Sequence, residues 1–263
     1  MKSKIAEAIK MKYEPVALIW METKPEGALE FSEGKWGCVM ALVSAAAKGR
    51  VSAARKETIG CGGGQIGVGF SDTFDQTPGG IEYFLSDGNP EFCETEIGRK
   101  IAEQNPDLLH GEGYIKTPEL ARRFVEDLPT RIIPAEYVVF KPLSLVADDE
   151  KPISVIFMIN PDQLSGLVFL ANYAREDANN VIIPMGAGCH QIGILAYFEA
   201  ESEHSRAIVG LTDPSARKIT NKALGSEILS FTTPYSMFLE MENEVDNSFL
   251  RRQTWAAVMG TGE

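Results

Sequence analysis

The sequence is short of the residues that most often advertise chemistry. Among 263 residues there are three histidines and four cysteines. No Cys-x-x-Cys pair is present, which removes a zinc knuckle, and four scattered cysteines are too few for a disulfide scaffold in a chain of this length. Positive charge is scarce as well: 25 Lys and Arg stand against 37 Asp and Glu, a net charge of −12. A surface that acidic repels phosphate backbones, and no basic run with interleaved aromatics offsets it, so nucleic acid is not an expected partner. Long apolar runs are missing too. The longest stretch without Asp, Glu, Lys or Arg, Ala178–Phe198, could span a bilayer by length, but it contains Asn179, Asn180, Pro184, His190, Gln191 and several glycines. A lipid-exposed span would not carry that polar load, so no membrane association is expected. Near the N-terminus, Glu7, Lys10, Lys12 and Glu14 interrupt what a signal peptide keeps apolar. The expected location is therefore cytoplasmic, where Cys38, Cys61, Cys93 and Cys189 stay thiols.

What is present is ordinary globular material, 44% hydrophobic and 24% charged, with a segment repeated inside it. Gly60-Cys-Gly-Gly-Gly-Gln-Ile-Gly67 and Gly186-Ala-Gly-Cys-His-Gln-Ile-Gly193 align without a gap at an offset of 126, with five of eight positions identical. Apolar runs at Pro15–Trp20 and Pro152–Phe157 read as a strand opening each copy. Helix-like segments follow at Cys38–Lys48 and Asp162–Arg175. Strands are then expected at Gln65–Phe70 and Ile81–Leu85 in the first copy, and at Gln191–Phe198 and Ala207–Leu211 in the second. Thr117-Pro118 and Asp213-Pro214 each place a capping residue before a proline, a start signal for helices through Leu128 and Leu224. Tyr137–Phe140 and Tyr235–Phe238 read as closing strands, and Val245–Val258 as a terminal helix.

The predicted fold class is α+β: two pseudo-symmetric repeats of strand-helix-strand-strand-helix-strand with a mainly antiparallel sheet, forming one intramolecular pseudo-dimer. A single globular domain over 1–263 is expected, with the first repeat at 12–146, the second at 152–242, and a C-terminal helix and tail at 243–263. Between the paired Pro118 and Pro214 the offset falls to 96, which marks extra residues at about 88–116 in the first copy. Asn89-Pro90 caps a helix there, with Cys93, Ile97 and Ile101 on one apolar face, read as a lid over one half.

The repeated glycine loop is where chemistry is expected. Gly60, Gly62, Gly63, Gly186 and Gly188 permit positive φ and close backbone approach, so they are candidate cofactor-binding positions together with His190. The segment reads as leading into a strand, which separates it from the dinucleotide fingerprint. Cys61 and Cys189 fall in the two loops at non-equivalent positions, and Cys38 falls at the start of its helix, where the dipole favours thiolate. Cys38, Cys61 and Cys189 are therefore the candidate metal ligands. Three thiolates beside glycine N–H donors suit an iron–sulfur cluster or other metal, used for redox or ligand activation, with a small molecule or redox protein as partner. Three readings compete with this one. The thiols could be inert core residues, Cys189 could be a nucleophile served by His190, or the glycine loops could bind an anionic metabolite or cofactor without catalysis. Asp213 reads as an N-cap and Arg217 as a surface or interface salt-bridge group.

Pro15-Val-Ala-Leu18, the Cys38 helix, Cys61-Gly-Gly63, Gly188-Cys189 and the Arg206–Asp213 strand together resemble the domain-of-unknown-function 169 family, across nearly the whole chain. That resemblance implies a cytoplasmic prokaryotic protein, frequent in archaea and anaerobic bacteria, where oxygen-sensitive clusters survive. It implies no activity.

Overall fold

Seven strands in the described residues pair into one sheet: β1 (Val16–Met21), β2 (Ser52–Ala54), β3 (Tyr137–Pro142), β4 (Ser154–Ile159), β5 (Val181–Ile182), β6 (Ala207–Gly210) and β7 (Leu229–Pro234). Their spatial order is β2-β3-β1-β4-β7-β6-β5. Every pairing is antiparallel except β5 with β6. The molecule is thus α+β with a mostly antiparallel sheet. The structure is a computed structural model describing residues 1–104 and 107–260. Residues 105–106 of the 88–116 segment and 261–263 of the C-terminal tail lie outside the described residues.

The chain divides into two compact units, one comprising residues 1–70 and 132–263 and the other Ser71–Arg131. The larger unit holds the whole sheet. Before the smaller unit begins, it supplies α1 (Lys4–Ala8), α2 (Val39–Ala47) and α3 (Gly62–Gly67). The smaller unit is helical: α4 (Ile81–Phe84), α5 (Pro90–Glu94), α6 (Glu96–Gln104), α7 (Asp107–His110) and α8 (Pro118–Asp127). The chain then returns to the larger unit with α9 (Pro161–Asn172), α10 (Gly188–Ile192), α11 (Ile194–Glu201), α12 (Pro214–Leu224), α13 (Tyr235–Glu244) and α14 (Gln253–Val258). Among the described residues no helix is long and apolar enough to cross a membrane.

Alternation along the strands builds two cores. Val16 and Leu18 of β1, with Ile156 and Met158 of β4, face α2, α10 and α12. Ala17, Ile19, Val155, Phe157 and Ile159 face the opposite layer, α1, α9, α13 and α14. Phe157, Phe231 and Phe238 are fully buried in that second core, where truncating one costs about 3–5 kcal/mol. Capping decides where the helices begin. Thr117, Asn160 and Asp213 each accept from the backbone amide three residues on, with proline at the first helical position. The Thr117 and Asp213 starts were readable because an Asx or Thr cap before proline satisfies one orphan amide and removes another.

Four expected strands are corrected. Gln65–Phe70 and Ile81–Leu85 are not strands, because α3 runs to Gly67 and α4 covers Ile81–Phe84; Gln191–Phe198 is likewise occupied by α10 and α11. Tyr235 begins α13, and the strand precedes it as β7. Apolar runs of four to eight residues carry no decisive period, so tertiary packing made the choice. The predicted terminal helix Val245–Val258 is replaced by a short turn of 3-10 helix at Phe249–Arg251 followed by α14. Cys93, Ile97 and Ile101 do not share one helix: α5 ends at Glu94, Thr95 caps α6 by accepting from Gly98 N at 3.0 Å, and Ile97 is exposed.

Candidate functional site

Four helices of the larger unit begin near one another. Cys38 is the N-cap of α2 and Cys61 that of α3; Cys189 is the second residue of α10; Asp213 is the N-cap of α12. Glycines make the convergence possible. A Cβ on Gly60 would lie 2.6 Å from Lys35 O and 2.9 Å from Trp36 Cα, so only glycine lets the Cys61 loop lie against the segment leading to Cys38. A Cβ on Gly188 would meet Ala216 at 3.2 Å, Asp213 Oδ2 at 3.3 Å and Met40 at 3.4 Å, which draws the starts of α10, α12 and α2 together. Gly62, Gly63 and Gly186 are not crowded: a Cβ there meets nothing closer than 3.9 Å.

This corrects the role expected of the motif. Gly60, Gly62, Gly63, Gly186 and Gly188 do not adopt positive φ. The motif leads into a short helix and not a strand, but Gly62, Gly63 and Gly64 lie inside α3 instead of in a turn ahead of it, so the dinucleotide geometry is still not formed.

Cys189 is buried, while Cys38 and Cys61 are half-buried. Burial, the largest cause in each case, raises all three thiol pKa values, that of Cys38 to about 11. Opposing burial are backbone amides that favour thiolate. Met40 and Ala41 face the Cys38 sulfur without completing a capping bond. Gly63 and Gly64 face that of Cys61, and His190 N that of Cys189. The sulfurs are also within electrostatic reach of one another: charge on Cys61 disfavours thiolate at Cys38, and charge on either disfavours it at Cys189. Asp213 pushes all three in the same direction. Its carboxylate is held by Gly188 N at 2.6 Å and Ala216 N at 2.7 Å. Among the described residues no group of three or more His, Cys, Asp or Glu is arranged to hold a metal ion.

The two copies of the motif touch. Cys189 Sγ donates to Gly63 O at 3.4 Å, and these two residues are equated by the offset of 126. Gly67 and Gly193, also equated by it, cross so closely that a Cβ on Gly193 would lie 2.2 Å from Gly67 O. The two glutamines brace their own loops. Gln65 Nε2 donates to Ile59 O at 2.8 Å, and Gln191 Nε2 to Pro184 O at 2.8 Å.

Of the residues that support the site, Leu211 was missed in the sequence and Arg217 was given another role. Leu211 is buried with φ 61°, a conformation that costs a bulky residue about 1–2 kcal/mol. Gln191 Oε1 accepts from Leu211 N at 2.7 Å, and Arg217 Nη1 donates to Leu211 O at 3.2 Å, so the two hold the turn that presents Asp213. Arg217 also donates to Ile228 O and Ser226 O. It is a carbonyl clamp, not the surface salt-bridge group expected. Nothing in the spacing could have exposed that role; the polar pair two residues beyond the Ala207–Gly210 strand, Thr212-Asp213, was the only signal.

The remaining candidates lie elsewhere or are enclosed. His190 is buried on α10. His204 is exposed, as expected for a loop residue, and His110 is exposed at the end of α7. Cys93 belongs to the smaller unit.

A family model described as DUF169, uncharacterised ArCR, matches residues 4–244 of the chain. No curated protein and no solved structure matches it.

Proposed function

We propose, for a chain that belongs to the DUF169 family, that Cys38, Cys61 and Cys189 hold an iron–sulfur cluster, or another metal centre, serving redox or ligand activation. The observation that carries this reading is the meeting of three thiols from three helix starts, each sulfur facing backbone amides. Amides directed at sulfur are what cluster-bound thiolates and sulfides accept, and they tune the potential. Without a cation, burial and mutual repulsion hold the thiols protonated. A bound metal supplies the positive charge that lets all three ionise, and it releases protons as it does so.

The test is anaerobic purification, reconstitution with iron and sulfide, and measurement of both alongside the visible spectrum. Iron is expected to be lost in Cys38→Ser, Cys61→Ser and Cys189→Ser and retained in Cys93→Ser. Featureless absorbance with no iron after reconstitution overturns the reading.

A second reading, a non-catalytic module for an anionic metabolite or cofactor, draws on the open space over Gly62 and Gly63. It predicts ligand-dependent stabilisation of RT ln(1 + [L]/Kd), indifferent to Cys→Ser changes. Asp213 works against it, since its negative charge, which already disfavours thiolate at Cys61, also disfavours an anion bound beside that residue.

The same reading includes descent of the two halves from one repeated unit. Supporting it are the contacts between equated residues, and the matching pairings of β1 with β3 and β4 with β7, which run Val16↔Pro142 and Ser154↔Pro234. Against a simple twofold axis, α2 and α9 follow equivalent strands but lie on opposite faces of the sheet.

A further inference from the structure

The layer on the other face of the sheet from the thiols carries a cavity of its own. Leu170 and Ala171 of α9, with Met237 and Met241 of α13, belong to the second core and floor a cavity of about 330 Å³ between the two helices. Apolar clefts of that size are where small molecules bind, and thioether side chains adapt to what enters. The rim is polar and unevenly charged. Arg175 is fixed there, its Nη2 donating to Glu240 Oε2 at 2.5 Å and its Nη1 to Ser205 O at 3.1 Å. Glu244, half-buried on the same rim, makes no ion pair or side-chain hydrogen bond among the described residues. Both helices also end at this cavity. Leu170 and Ala171 lie in the last turn of α9, Met241 and Glu244 in that of α13, and neither last turn contains a basic residue. A helix C-terminus carries a partial negative charge that favours cations. Glu240, Glu244 and the ends of α9 and α13 are thus set against a single guanidinium, already committed to Glu240 and a carbonyl.

We infer that this cavity binds a small organic ammonium ion, with its apolar body on the methionine floor and its charged head at Glu244. Asn243, on the same rim, offers an amide oxygen to a second N–H of that head. The same arrangement of charge rejects a carboxylate of equal size, because like charges brought together at a binding surface cost affinity. Recognition is divided between floor and rim, so neither an apolar body alone nor a bare cation satisfies the site. Nothing in this binding calls on the thiols, and it stands whatever they hold.

Hexylammonium is a suitable probe, followed by isothermal titration calorimetry and by the thermal unfolding midpoint, with hexanol, methylammonium and hexanoate as controls. Hexylammonium is expected to bind at a single site and to raise the midpoint as its concentration passes Kd. Hexanol and methylammonium, each with half of the recognition, are expected to bind at least about tenfold more weakly, and hexanoate not at all. Glu244→Gln breaks no ion pair or side-chain hydrogen bond among the described residues, so its unliganded midpoint should not move, while its affinity for hexylammonium falls about tenfold. Ala174→Leu places a larger side chain at an exposed position of the cavity wall and is expected to abolish binding. Absence of saturable binding to the wild type overturns the inference. So does equal binding of hexanol and hexylammonium, or undiminished binding in Glu244→Gln, since either result removes the role of charge. A wild-type dimer in sedimentation that Ala174→Leu dissociates would mean that a second copy covers the cavity, and overturns it as well.

Discussion

Two stretches of similar sequence, Gly60–Gly67 and Gly186–Gly193, differ in what surrounds them. In α3 only Gly64, Ile66 and Gly67 are buried, whereas all five residues of α10 are. The shared second half, Gln-Ile-Gly, does the same work in each: a glutamine that ties its own loop, and a glycine at the crossing. The first half differs, with the thiol at the second position of one copy and the fourth of the other. Architecture therefore rests on the part that matches, and the candidate chemistry rests on the part that does not.

The crossing offers the largest effect. Valine at 193 would drive Cβ to 2.2 Å from Gly67 O, and valine at 67 would place it 2.7 Å from His190 N. Both obstacles are backbone and cannot swing aside. Gly193→Val is expected to cost more than about 3 kcal/mol, or to prevent folding, with Gly67→Val somewhat milder. Denaturant unfolding measures it; a loss below about 1 kcal/mol for either would break the crossing as the shared element.

Asp213 comes next. Asp213→Ala removes the α12 cap and the partner of Gly188 N, at a cost of about 1–2 kcal/mol. Asp213→Asn retains much of the cap and isolates the charge. Burial pushes the Cys38 thiol up to about 11 from its usual 9.0. Because the folded state keeps its proton longer than the unfolded chain, this thiol's contribution to stability is complete below pH 9 and is lost as pH rises through 11. Iodoacetamide modification of Cys38 in the native protein should accordingly rise along the same course. In Asp213→Asn the midpoint should move to lower pH. A midpoint that stays put would mean that Asp213 does not face the thiols.

Arg217 follows. Lysine at 217 keeps the charge but cannot fork to Leu211 O, Ile228 O and Ser226 O together, so Arg217→Lys is expected to cost about 1 kcal/mol. The Cys38 modification profile should also broaden as the Leu211 turn loosens. An unchanged unfolding midpoint would return Arg217 to the surface role that its sequence context suggested.

These residues also mark what the sequence could and could not disclose. Cap-and-proline pairs such as Asp213-Pro214 were legible because capping is a local bargain between one side chain and the next three amides. Strand β3 was legible because Tyr137–Phe140 is continuously apolar. The turn from Ile66 to Phe70 was not, since glycine-rich and short apolar runs accept either helix or strand, and the outcome was set by the Gly67–Gly193 contact across 126 residues. The three cysteines could be nominated from their positions relative to helix starts and glycines. The fourth helix start, at Asp213, looked like a mere cap until Gly188 N and the three sulfurs were found around it. The role of Arg217 was misread because its partners are carbonyls, which every residue carries.

The smallest effect gives the finest comparison, because Gly62 and Gly188 hold equivalent places in the two copies. Each is the first residue of its helix, and neither has positive φ. Alanine at 62 meets open space, so its consequence lies mainly in the unfolded chain, whose freedom it restricts; a gain of about 0.4–1 kcal/mol is expected. Alanine at 188 gains the same entropy but presses on Ala216, Asp213 and Met40 at 3.2–3.4 Å, of which Asp213 is pinned by two amides. Relief would require the α12 start to retreat, so Gly188→Ala is expected to lose about 1 kcal/mol. Opposite signs at matched positions would show that the packing of α10 against α12, and not the motif itself, decides which glycines are needed. Equal signs would mean that the two helix starts share one environment.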